Sequence, residues 1–116
     1  MKSIEIRRTG LPPIKFTGED IGSGSTRSVS GEGHNRWTDV RIYRSKGGRF
    51  IAEVNRITRW QGESDHHSAV SKATAKEIVE WLAGEDGTLG RASQEAVEEA
   101  AKKEPAFAEA WAENVE

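Results

Sequence analysis

Between Arg36 and Trp60 apolar and polar residues alternate in two runs, separated by Ser45-Lys46-Gly47-Gly48-Arg49, which is the pattern of a β-hairpin. A three-residue loop over Lys46, Gly47 and Gly48, with Gly48 left-handed, sets the register. It pairs Val40 with Val54, Ile42 with Ala52 and Arg44 with Phe50. On the opposite face it pairs Arg41 with Glu53, Tyr43 with Ile51 and Trp37 with Ile57. A two-residue loop at Gly47-Gly48 would set Ile42 against Glu53 and Val40 against Asn55, scattering the apolar set that one buried face requires. One face is therefore a plain core face. The other mixes Trp37, Tyr43, Ile51 and Ile57 with Arg41, Glu53, Asn55 and Arg59.

Upstream, Ile4 and Ile6 alternate with polar residues and predict a strand over residues 2–8. Gly10-Leu11-Pro12-Pro13 predicts a turn, because prolines cannot donate to a sheet ladder. Ile14, Phe16 and Ile21 predict a second strand over 14–22 with a kink at Gly18. The Gly/Ser-rich stretch from Gly22 to Gly33 reads as a flexible loop.

Past Trp60 the period changes. Residues 61–68 are polar and loop-like. Thr74-Ala75-Lys76-Glu77 is a capping box, opening a helix whose stripe is Ala75, Ile78 and Leu82 with Trp81, closed by a left-handed Gly84. Ser93 is the expected cap of a second helix with Ala96, Val97, Ala100 and Ala101 on its apolar side. Pro105 suits the first turn of a third helix carrying Phe107, Trp111 and Val115. The predicted fold is one α+β domain over 1–116: a four-stranded antiparallel sheet within 1–60, then three short helices within 61–116 packed on one face.

Composition sharpens this only in places. Leu, Ile, Val and Phe together supply 21 of 116 residues, so four Trp and thirteen Ala must do much of the packing. A core that thin suggests extra burial through a partner or a second copy. The absence of Cys excludes disulfides and thiolate chemistry. The start alternates apolar and polar residues and has no apolar signal-peptide core, and no run is long enough to span a membrane, so a cytoplasmic location is the default expectation. The net charge of −2 hides an asymmetry: residues 1–60 hold twelve basic and six acidic side chains, and residues 61–116 hold five and thirteen.

Reactive chemistry finds little support. The Gly22–Gly33 loop lacks the Gly-Lys-Ser/Thr ending and the following helix of a phosphate cradle. A small hydrolase or metal enzyme around His34, Asp65 and His66 is a further alternative, although adjacent histidines on an extended segment point apart. No cofactor is expected. The mixed sheet face is the stronger candidate, since Trp, Tyr and Arg together are the make-up of interface hot spots. The sequence thus predicts a non-catalytic binding or regulatory module acting through Trp37, Arg41, Tyr43, Ile51, Asn55, Ile57 and Arg59 on a protein partner or a second copy of itself. A nucleic-acid-binding module using the same face is the alternative, with Glu53 opposite Arg41 and the acidic helices arguing against it. The small, cysteine-free, highly charged style is that of accessory proteins of phages and bacterial plasmids, and a phage- or plasmid-borne inhibitor fits the predicted module, but no motif has residues to carry over and no family is recognised.

Overall fold

The computed structural model describes residues 1–27, 35–113 and 115. Five strands form one antiparallel sheet in the order β1 (Lys2–Arg8), β2 (Leu11–Ser25), β3 (Arg36–Ser45), β4 (Phe50–Thr58), β5 (His66–Lys72). Three helices follow: α1 (Ala75–Ala83), α2 (Arg91–Lys103) and α3 (Pro105–Ala110). The α+β class and the one-sided helices match expectation, but the sheet has five strands rather than four. The added strand is β5. Its polar start, His66-His67-Ser68, reads as loop, yet it pairs with Arg56, Asn55 and Val54 of β4.

The β3–β4 register is the predicted one, with Val40 opposite Val54, Ile42 opposite Ala52 and Arg41 opposite Glu53. Gly48 at φ 87° makes the loop possible, and its amide donates to the Ser45 carbonyl at 3.0 Å. Strand β2 is longer than the sequence suggests. Pro12 and Pro13 lie inside it, on the half that pairs only with β1, so no second neighbour needs their missing donors. The expected kink at Gly18 is instead a bulge at Ile21, between the Asp20–Tyr43 and Gly22–Ile42 pairs. Residues 22–25 of the predicted flexible loop belong to β2, and 28–33 fall outside the described residues.

The bulge turns Gly22 and Gly24 toward α2. A Cβ on Gly22 would meet the Ala96 carbonyl oxygen and the Ala100 amide, and one on Gly24 the Ala92 carbonyl oxygen. These glycines let the alanine stripe of α2 lie directly on the strand. The main core then assembles Ile21, Val40, Ile42, Phe50 and Ala52 with Ile78, Val79, Val97 and Phe107. Phe50 and Phe107 meet edge to face at 5.0 Å.

Thr74 caps α1 as predicted: its Oγ1 accepts from the Glu77 amide at 3.2 Å and donates to Glu77 Oε1 at 3.0 Å. Gly84 has a positive φ of 70° but an extended ψ, so the left-handed residue is Gly87, one 3₁₀ turn later. Val79 is buried on the α1 stripe, while Trp81 and Leu82 are half-buried. Ser93 does not cap α2. The helix starts at Arg91 after Gly90, which places Ser93 inside its first turn. Pro105 opens α3 as expected, but the helix ends at Ala110, leaving Trp111 and Val115 exposed.

Candidate functional site

Strand alternation puts Trp37, Asp39, Arg41 and Tyr43 of β3, Ile51, Glu53, Asn55 and Ile57 of β4, and His67 and Ala69 of β5 on the face away from the helices. This mixed face is only half open. The sheet curls until its edge strands meet at one corner, where the Thr9 amide donates to the His67 carbonyl and the His67 amide donates to Thr9 Oγ1, both at 2.8 Å. The β1–β2 hairpin thereby lies over the Tyr43 end. Ile6, Tyr43, Ile51 and Ala69 form a second core there, flanked by Ile4, Ile14 and Phe16.

Tyr43 and Ile51, expected on an open surface, are therefore buried at 8% and 2% exposure. Four apolar residues of the first two strands need cover, and these two supply it. Phe16 packs edge to face on Tyr43 at 5.5 Å. The Tyr43 hydroxyl donates to Glu53 Oε1 at 2.8 Å, and burial followed by that hydrogen bond pushes its pKa well above the ordinary phenol value. Glu53 thus serves Tyr43 rather than Arg41. Arg41 is exposed and reaches Asp20 Oδ2 at 3.5 Å.

The Trp37 end stays open. Trp37 is partly exposed, and its indole Nε1 donates to Asp39 Oδ2 at 3.2 Å. Asp39 Oδ1 in turn accepts from Ser25 Oγ at 2.5 Å, which ties the indole to β2. The guanidinium groups of Arg27 and Arg59 stand 4.6 and 5.2 Å from the ring centroid. Ile57 is the cross-strand neighbour of Trp37 and is also partly exposed. Asn55 Oδ1 lies 2.7 Å from His67 Nδ1. Between Trp37 and the buried Tyr43, a polar cleft of about 470 Å³ is lined by Ser23, Ser25, Asp39, Arg41, Glu53 and Asn55.

Beside this end, Arg36 makes a two-pronged contact with Glu63 at 2.9 and 2.6 Å and lies 5.8 Å from the exposed Trp60 ring. Thr58 Oγ1 adds a 2.6 Å hydrogen bond to Glu63. Arg36 and Thr58 hold the Glu63 carboxyl down at a pKa of about 2.

Of the seven residues singled out from the sequence, Trp37, Arg59 and Ile57 come together at the open end. Arg41 and Asn55 line the adjoining cleft, and Tyr43 and Ile51 belong to the second core. Arg27 and Asp39 were missed. The Trp37-x-Asp39 spacing, which puts both on one face of a strand, was the available signal for Asp39. In the alternative hydrolytic or metal set, His34 lies outside the described residues. Asp65 accepts from the Thr58 amide at 2.9 Å, and His66 sits opposite Arg56 on the helix side of the sheet. Among the described residues no group of three or more His, Asp or Glu is placed to hold a metal ion. No helix among them is long and apolar enough to cross a membrane. Comparison with protein-family models, curated sequences and solved structures gives no match for this chain.

Proposed function

We propose that the chain is a non-catalytic binding module whose working surface is the Trp37 end of the mixed face, and that its partner is a protein, a second copy of the chain included. The observation that carries this reading is the indole of Trp37, partly exposed, fixed through Asp39 and flanked by Arg27 and Arg59. An aromatic already held in place loses little freedom on binding, and arginines beside it are the usual company of interface anchors. The adjoining cleft offers Arg41 and Asn55 as polar contacts around that anchor. This is the working mode of a small accessory or inhibitor protein.

A nucleic-acid partner is the second reading, favoured by the same arginine-flanked ring and by the basic first half of the chain. Sedimentation of the chain and capture of its partner from the source cell, each repeated with Trp37→Ala and Arg59→Ala, test the main reading. Trp37→Ala should abolish association and Arg59→Ala should weaken it mildly, with both variants folded by circular dichroism. Association that survives Trp37→Ala in a folded protein would sink the assignment. Micromolar binding to an oligonucleotide that weakens steeply with salt would install the second reading in its place.

A further inference from the structure

Helix α3 ends at Ala110, one residue before Trp111, and leaves that indole 38% exposed. Trp111 lines an open groove of about 710 Å³ between the ends of α1 and α3. Val79, Ala83 and Ala110 give the groove apolar walls, and Glu80 and Glu113 add two carboxylates. Both carboxylates are exposed and make no hydrogen bond or ion pair among the described residues. The segments that form the groove, residues 78–90 and 105–113, hold five acidic side chains and no basic one. Lys76, one turn before Glu80, does not line it. The groove is therefore apolar inside and negative around.

A surface of opposite make-up lies at the end of the sheet beside Trp37. Trp60 opens a turn in which the Glu63 amide donates to its carbonyl at 3.2 Å and Gly62 takes a positive φ of 88°. The turn presents the indole at 51% exposure. It is also braced, since Arg36 and Thr58 both bind Glu63. Arg59 precedes Trp60 and, with Arg27, flanks Trp37, while Arg56 lies opposite Thr38. These three arginines are exposed, and none makes an ion pair among the described residues. The carboxylates of this end are already engaged: Glu63 by Arg36, Asp39 by Trp37 and Ser25, and Asp65 by the Thr58 amide.

We propose that the groove between α1 and α3 receives the Trp60 turn of a second copy of this chain. The proposal rests on the reading of the Trp37 end as a protein-binding surface, and it names the surface which that end meets. The indole lies between the helices against Trp111, and the arginines around it face Glu80 and Glu113. An aromatic anchor in an apolar pocket with charges at the rim is the usual division of labour at an interface. Charge selects the occupant, because the acidic groove repels the acidic half of another copy and attracts the basic half. Turn and groove are different surfaces, so the contact is heterologous. Each copy added leaves one of each free, and assembly proceeds past the dimer to a ring or a filament.

Sedimentation of the full chain over a range of concentrations at low salt tests this. The mean mass should climb beyond that of a dimer. Raising salt from about 0.1 M to about 1 M, which shortens the screening length from about 10 Å to about 3 Å, should weaken association on the order of tenfold. Trp60→Ala should weaken it about thirtyfold and Glu80→Lys about tenfold, with both variants folded by circular dichroism. The deciding sample is an equimolar mixture of the two variants. One keeps a working groove and the other a working turn, so the mixture should form a dimer and stop there. A chain that stays monomeric at low salt, or variants that do not complement each other, would overturn the proposal. The two readings also fail separately. Association that survives Trp37→Ala removes the Trp37 surface, whereas association lost in Trp37→Ala but kept in Glu80→Lys retains that surface and denies the groove its second copy.

Discussion

Gly24 of β2 lies against the Ala92 carbonyl of α2, with no room for a Cβ between them. Helix and sheet meet there backbone to backbone, and the Gly22 contact with Ala96 and Ala100 repeats the arrangement one turn later. Gly24→Ala should therefore cost about 1–3 kcal/mol through overpacking. Gly47→Ala is the control, since a Cβ there meets only Ser45 Oγ at 4.0 Å. Urea unfolding midpoints that fall together for the two variants would show that α2 has room to move away.

The Thr74 cap supplies a second measurement. Removing its hydroxyl leaves the Glu77 amide without its acceptor and should cost on the order of 1 kcal/mol. Thr74→Ser keeps the acceptor and should retain most of that stability, so the pair of variants isolates the hydrogen bond from the methyl group.

Tyr43 is the only tyrosine, which makes its ionisation directly visible in the ultraviolet. Its folded pKa is raised, so the stability it contributes is fully present below the unfolded value of about 10 and is lost as pH climbs toward the folded one. The tyrosinate absorbance should appear only above that unfolded value and together with loss of structure. A simple titration near pH 10 in the intact fold would place the ring in water.

Glu63 gives the opposite sign. Its folded pKa is depressed to about 2, so its stabilising contact with Arg36 is present above the ordinary carboxylate range and fades as pH falls through that range toward 2. Acid titration should release the Trp60 indole from the Arg36 side chain beside it, a change readable in fluorescence. Glu63→Gln should abolish that acid-dependent step without unfolding the domain.

Much of the architecture was legible because local chemistry and long-range packing agree on it. Gly48 and the alternation around it determine the β3–β4 register, while Thr74 and Pro105 mark helix starts through backbone groups that have no other partner. The failures share a physical cause. Strand β5 is held by ladder bonds to β4 while its side chains stay half polar, so periodicity carries no trace of it. The bulge at Ile21 shifts the alternation of β2 by one residue, and only then do Gly22 and Gly24 turn toward α2 and acquire a packing role. The mixed face was identified, but which half stays open is decided by the β1–β2 hairpin folding back over it. That is a tertiary event that Tyr43 and Ile51 do not announce.

Strand β3 carries Ile42 into one core and Tyr43, the next residue, into the other. The amides of this stretch and of its partners, Ile51 and Ala52, are consequently covered on both sides and held between two neighbouring strands. Fraying of the N-terminal hairpin exposes one side only, and loosening of the helices exposes only the other. Exchange with solvent there must wait for both layers to come apart, so these few amides time the opening of the whole molecule.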